Sequence, residues 1–276
     1  MIPKIIHCIW LSGEEKPPFY RDCISTWKKY MPEYEIMEWD LSKISVDSVP
    51  WVKDAVACKK WAYASDYIRL YALYNYGGIY LDMDVCVYKS FDPFLIHRAF
   101  SCVEFYPVPF YATLGKKEVI GCGIEAAVLG AEKGHPWIQA CLKYYEGRHF
   151  INKPRFYYHH IMPRVLTRVA REMLGFKYIP IEQTLKEGVH IYPPDVFSSI
   201  YDFQQITGME KNWDNIIKYG RNNPLRYSFH LCAHGWWEGI TDKNKVIFNI
   251  KKFFIAISGK KTINFLKKMV IFLIIV

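Results

Sequence analysis

No Cys-x-x-Cys pair and no clustered ligand spacing occurs among the eight cysteines of this 276-residue chain, at positions 8, 23, 58, 86, 102, 122, 141 and 232. Several sit in apolar, strand-like runs such as Ile6-His-Cys8-Ile-Trp. They read as buried thiols rather than as a disulfide framework. The first residues offer no leader peptide, since Ile5 to Leu11 already reads as a structural strand and lacks a small-residue cleavage site. These absences predict a body in a reducing, cytoplasmic setting. Internal repeats and low-complexity linkers are missing too, and the length suffices for a domain with a sizeable core.

Acidic residues are absent from 243–276, where eight lysines stand. The net charge of the chain is +9, so this tail carries +8 and the other 242 residues only +1. A nucleic-acid footprint needs Lys and Arg spread over the fold, so nucleic acid is excluded as a partner of the body. Long apolar runs are scarce as well. The last eight residues, Met269 to Val276, are apolar, but as helix they reach roughly 12 Å, against the roughly 30 Å of a bilayer core. Just upstream, Val246, Ile247, Ile250, Phe253, Phe254 and Ile257 share one helical stripe. The expectation is a basic amphipathic tail lying on an anionic membrane surface, where each lysine is worth on the order of 1 kcal/mol. The alternative is a helix pair packed on the domain with its lysines in water.

What is present is an alternation of strands and helices. Residues 3–11 read as a strand, 17–30 as a helix, 33–39 as a strand, 50–76 as helical and 79–81 as a short apolar strand. Extended segments follow at 85–88 and 100–105, then a loop over 115–123 and a small-residue helix over 124–133. Helices over 136–145 and 161–174 precede a proline-broken extended segment over 189–203. This order predicts an α/β fold, a single Rossmann-like domain over 1–242 with a mixed, mostly parallel sheet, followed by the tail 243–276.

The most informative stretch runs from Trp61 to Val85. Asp66 and Arg69 share a helix face at i, i+3. Gly77-Gly78 supplies the permissive backbone for leaving the helix. Ile79-Tyr80-Leu81 then delivers Asp82 and Asp84 to the end of a strand, the edge at which open α/β sheets bind ligands. Two aspartates one residue apart suit a hard divalent cation. Alone, a DxD is also an ordinary acidic turn, and an i, i+3 pair is also an ordinary surface ion pair worth a few tenths of a kcal/mol.

The segment Ala64-Ser-Asp66-x-x-Arg69 … Gly77-Gly-Ile-Tyr80-Leu-Asp82-x-Asp84-Val resembles the DxD core of family 32 glycosyltransferases, the capsular-polysaccharide and Och1-type enzymes. It is also similar to the catalytic core of the clostridial glucosylating toxins. Further segments keep the family's order: Ile2 to Trp10 as opening strand, Glu125 to Trp137 as mid-chain helix, Met162-Pro-Arg-Val-Leu-Thr167, His190-Ile-Tyr-Pro-Pro, and His230-Leu-Cys-Ala-His234-Gly-Trp236-Trp237. Gly235 stands where the family pattern has Ser, which puts diphosphate contacts at that motif in question.

The resemblance implies a GT-A fold and a retaining transfer from a nucleotide-sugar, with Mn2+ or Mg2+ as cofactor. It implies Asp84, Asp82, His230 and His234 as metal ligands, and Asp66, Arg69, Asp82 and Asp84 as catalytic residues. Asp66 would take donor-sugar hydroxyls and Arg69 the sugar or diphosphate, its donor fork matching phosphate oxygens. Ile9, Trp10, Leu11, Tyr80, Asp82 and Trp236 would bind the nucleotide-sugar, with Trp10 stacked on the base. A UDP-sugar donor is preferred, and no residue stands out as nucleophile except Glu125 as a minor candidate. His7, His135, His159 and His160 read as structural or solvated. The basic tail points to a glycan or lipid-linked oligosaccharide acceptor and a peripheral location on the cytoplasmic membrane face. Competing readings are a haloacid-dehalogenase-like phosphatase, which also ends a strand in Asp-x-Asp, and a non-catalytic membrane-bound sugar-binding module.

Overall fold

The structure is a computed structural model and describes residues 1–116, 119–153, 156, 159–197 and 222–231. The chain divides into two units, Met1–Ala233 and His234–Val276; all described residues belong to the first. The basic tail, His234 and Trp236 lie outside the described residues.

Strands β1 (Ile5–Ile9), β2 (Glu35–Trp39), β3 (Gly78–Leu81), β5 (Ala99–Phe105), β6 (Cys122–Ile124), β7 (Val128–Ala131), β8 (Gln183–Thr184) and β9 (Val189–Tyr192) form one sheet. Its order is β2-β1-β3-β7-β5-β9-β8, with β6 added on β5. Pairing is parallel for β1 with β2, β1 with β3 and β5 with β9, and antiparallel elsewhere. Five strands therefore run one way and three against them, the mixed, mostly parallel sheet expected. A separate antiparallel pair joins β4 (Val85–Val87) to β10 (Ser228–His230).

Alternate residues of the central strands enter two different cores, as a pleat with period 2 requires. Tyr80, Leu129 and Val103 pack on one side, whereas Ile79, Leu81, Val128 and Phe100 pack on the other. The first side is covered by α2 (Pro50–Ala57), α3 (Trp61–Tyr76), α5 (Pro136–Lys143) and α6 (Met162–Met173). The second takes α1 (Pro18–Tyr30) and the short α7 (Pro194–Phe197), through Trp27 and Phe197. The seven-residue helix α4 (Pro107–Thr113) leads from β5 toward β6.

Local chemistry explains most boundaries. In α6, Val165, Leu166, Val169 and Ala170 form the buried stripe. At the end of α3, Gly77 (φ 69°) and Gly78 (φ 111°) adopt positive φ, and the Gly77 N–H closes the last turn on Leu73 O at 2.9 Å. A Cβ on Gly78 would stand 2.6 Å from Ile5 O, so only glycine lets β3 lie against β1 here.

Three expectations change. The helical stretch 50–76 is two helices, because Lys59 takes φ 54° between Ala57 and Trp61. Within the extended segment expected over 189–203, residues 194–197 form the helix α7. The small-residue helix over 124–133 is instead the end of β6 and the strand β7. All four β7 residues are buried; a strand covered on both faces loses the apolar–polar alternation that identifies strands. Its smallness has a packing reason, since a Cβ on Gly130 would lie 2.1 Å from the Phe100 ring.

None of the seven described cysteines forms a disulfide, and all but Cys58 are buried. Among the described residues no helix is long and apolar enough to cross a membrane.

Candidate active site

The site forms where β3 ends. Parallel pairing of β1 with β3 brings Trp10, just past β1, and Asp82, just past β3, to the same edge of the sheet. The Asp82 N–H donates to Ala127 O at 2.9 Å, and a tight turn follows in which the Val85 N–H donates to Asp82 O at 3.0 Å. Strand β4 then pairs with β10 in a register that sets Val85 opposite His230. The Leu231 N–H bonds to Asp84 O at 3.1 Å. A strand far downstream in the chain thus delivers His230 to the DxD turn. Trp27 of α1 anchors this pair by donating its indole N–H to Val85 O at 2.7 Å.

Asp82, Asp84 and His230 each offer a ligand atom within 4.8 Å of the others. His230 Nε2 lies 3.4 Å from Asp84 Oδ1 and 3.9 Å from Asp82 Oδ2. Their side chains are 26, 12 and 18% exposed for Asp82, Asp84 and His230 respectively, so a ligand can reach them. On the far side of the imidazole, Nδ1 lies 3.4 Å from Glu125 Oε1.

Arg69 and Asp66 sit beneath this layer, both buried. Arg69 Nη2 meets Asp66 Oδ1 at 3.2 Å and Nη1 meets Asp82 Oδ1 at 3.3 Å. The guanidinium also bonds to Ala126 O (2.9 Å), Ser65 Oγ (3.1 Å) and Ser65 O (3.4 Å). Three of its N–H groups thus bond within the protein, and each terminal nitrogen also faces a carboxylate. Buried among these partners, Arg69 is placed to act through Asp66 and Asp82.

The Tyr80 ring lies 4.4 Å below the Arg69 guanidinium carbon, and its hydroxyl donates to Asp82 Oδ1 at 2.5 Å. Burial opposes the Arg69 cation, yet Tyr80, Asp82 and Asp66 together hold its pKa above the ordinary value. Burial pushes the Asp66 carboxyl up to about 7 against the pull of Arg69. Burial also raises Asp82, opposed by Arg69 and His230. A buried set of carboxylates this dense stores a demand for positive charge.

Glu104, on β5, is a member of this set that the sequence reading missed. Burial, then the neighbouring Glu125, pushes its carboxyl up to about 8, and Tyr106 donates to it at 3.2 Å. The available signal was a carboxylate inside an otherwise apolar strand, Ala-Phe-Ser-Cys-Val-Glu-Phe.

Other predicted residues fall as follows. Ile9 and Leu11 bury their side chains in the core. Trp10 is half-buried, its indole N–H donates to Glu14 O at 2.7 Å, and its ring lies 5.5 Å from that of Tyr20. His7 is fully engaged: the Trp39 indole N–H donates to Nδ1 at 3.1 Å, and Nε2 bonds to Gly77 O at 2.7 Å. His135 caps α5 by accepting the Trp137 N–H. His160 stacks on Phe156 at 3.9 Å. These three histidines are structural.

Residues 17–101 match the family described as glycosyltransferase sugar-binding region containing DXD motif. That span includes Asp66, Arg69, Asp82 and Asp84. Inositol phosphoceramide mannosyltransferase 3 of Schizosaccharomyces pombe is 27% identical over 169 residues, 59% of this chain and 40% of that protein. An uncharacterized glycosyltransferase of Acanthamoeba polyphaga mimivirus is 27% identical over 146 residues, 49% of this chain and 52% of the relative. The chain therefore spans about half or less of the length of these relatives. Among solved structures, the PaToxG glycosyltransferase aligns with a TM-score of 0.46 and 22% identity over 62% of this chain and 70% of that one. The galactosyltransferase LgtC aligns with a TM-score of 0.41 and 13% identity over 86% of this chain and 91% of its own.

Proposed function

We propose that the protein is a metal-dependent glycosyltransferase that moves a sugar from a nucleoside diphosphate sugar to a glycan or lipid-linked oligosaccharide. The observation that carries this reading is the accessible Asp82–Asp84–His230 group, set at the sheet edge where Trp10 also emerges. Two carboxylates and an imidazole form a donor set that fits Mn2+ or Mg2+, and the buried acidic residues around it favour a bound cation. Such an ion, when present, neutralises charge on the leaving diphosphate.

The chain's own residues do the rest. Asp66 and Arg69 fix Asp82 from below, and Trp10 offers an aromatic face to the base. In the transfer, the bond from the anomeric carbon to the phosphate oxygen breaks and a bond to the acceptor oxygen forms on the same face. The departing phosphate takes the acceptor proton, and attack on the face that the phosphate leaves makes the reaction retaining. Glu125 is ill placed as a nucleophile, because its Oε1 is engaged by two backbone amides and lies beside His230.

The relative named an inositol phosphoceramide mannosyltransferase adds support for a lipid-borne acceptor and brings mannosyl donors in beside the preferred UDP-sugars. The lysine-rich tail supports a peripheral position on the cytoplasmic membrane face. The test is a screen of UDP- and GDP-sugars for hydrolysis with and without manganese, comparing wild type with Asp84→Asn. Metal-dependent hydrolysis of one donor, lost in the variant, is expected. Hydrolysis of simple phosphate esters would favour a phosphatase, and tight sugar binding without turnover a lectin-like module.

A further inference from the structure

The turn 125–127 between β6 and β7 touches the site from several directions. Ala126 O accepts from Arg69 Nη1 at 2.9 Å, and Ala127 O accepts from the Asp82 N–H at 2.9 Å. The Glu125 side chain folds back over the same turn. Its Oε1 accepts the Ala126 N–H at 3.1 Å and the Ala127 N–H at 2.8 Å. Its backbone is pinned as well, the N–H on Cys102 O at 2.9 Å and the carbonyl on Ser101 Oγ at 2.8 Å. The residue is 3% exposed, so this carboxylate has little freedom to move.

That pinned Oε1 is the atom 3.4 Å from His230 Nδ1. An oxygen already accepting two amide hydrogens faces an imidazole nitrogen as acceptor. Nε2 faces Asp84 Oδ1 at the same 3.4 Å, but Glu125 is pinned and nearly sealed from water whereas the Asp82 and Asp84 side chains are partly solvated. The less screened carboxylate draws the hydrogen to Nδ1 and leaves the Nε2 lone pair toward the aspartates. Neutral imidazole in this tautomer is the form that ligates a metal, and a carboxylate behind the ring is the usual means of selecting it.

We propose that Glu125 is a positioning residue that fixes the tautomer and aim of His230, and so couples the β6–β7 turn to the cation site. The part that concerns metal affinity rests on the function proposed above; the tautomer is a property of this chain alone. One turn thereby sets Arg69, Asp82 and His230 relative to one another, two through backbone carbonyls and one through a side chain.

The experiment is long-range 1H–15N correlation on metal-free, 15N-histidine-labelled protein above the histidine titration range, with His230→Gln used to assign the signal. The Nδ1–H tautomer is expected in the wild type, and an Nε2–H tautomer overturns the proposal without any variant of Glu125. Manganese titration without nucleotide, read by electron paramagnetic resonance, supplies the second arm. Glu125→Ala is expected to weaken binding by about 10–100-fold, the usual effect of losing such a partner. Glu125→Gln keeps an oxygen for the two amides and for Nδ1–H, and should restore most of the loss. A folded Glu125→Ala protein with wild-type manganese affinity and unchanged tautomer would also overturn it. Wild-type protein with the Nδ1–H tautomer but no manganese binding would sink the proposed ligand set and leave the positioning role supported.

Discussion

Arg69 holds two carboxylates at once, the buried Asp66 and the partly exposed Asp82. Its partners Asp66 and Asp82 are both raised by burial, so the ion pairs count through what their loss would leave behind. Removing one partner of a buried pair costs about 3–5 kcal/mol, because the remaining charge is stranded. Arg69→Met should therefore lower the urea-unfolding free energy by about that amount, and Arg69→Lys should recover only part of it, since an ammonium cannot match the fork. An unchanged midpoint for Arg69→Met would contradict this account. The i, i+3 spacing of Asp66 and Arg69 was legible in the sequence, and so was their nearness to the DxD. The contacts of Arg69 with Ala126 O and Asp82 were not, because those residues lie in turns that only the sheet brings beside α3.

Elements were legible where periodicity and breakers agree. Helix α3 ends at Gly77-Gly78 as expected, and β3 delivers Asp82 to its end. Strand β7 was not legible, and the reason is its position between β3 and β5, sealed on both faces. Its glycine is the sharpest probe of that packing. Gly130→Ala would drive a methyl into the Phe100 ring, and overpacking of this kind costs about 1–3 kcal/mol. The loss should shrink in a Phe100→Leu background, a coupling measurable by a double-mutant cycle. Equal losses in both backgrounds would mean that the ring is not what excludes the methyl. Strand β10 was equally hidden: its three residues, Ser228–His230, carry little pattern, and their partner β4 is distant in sequence.

For the molecule as a whole, charge separates a near-neutral body from a lysine-rich tail. Deleting residues 243–276 should abolish sedimentation with anionic liposomes while leaving donor hydrolysis intact, and unchanged liposome binding would rule out the membrane role proposed for the tail. Composition, the α/β alternation, the DxD at a strand end and the Asp66–Arg69 pair all follow from neighbours in sequence, and the sequence by itself determined them. The resemblance named His230, but tertiary structure alone decided that it lies beside Asp82 and Asp84, that Glu125 stands behind it, and that Glu104 joins the same acidic group. The physical reason is shared. Strand pairing and buried hydrogen bonds join residues that are remote along the chain, and no local pattern records which remote partner a buried polar atom will find.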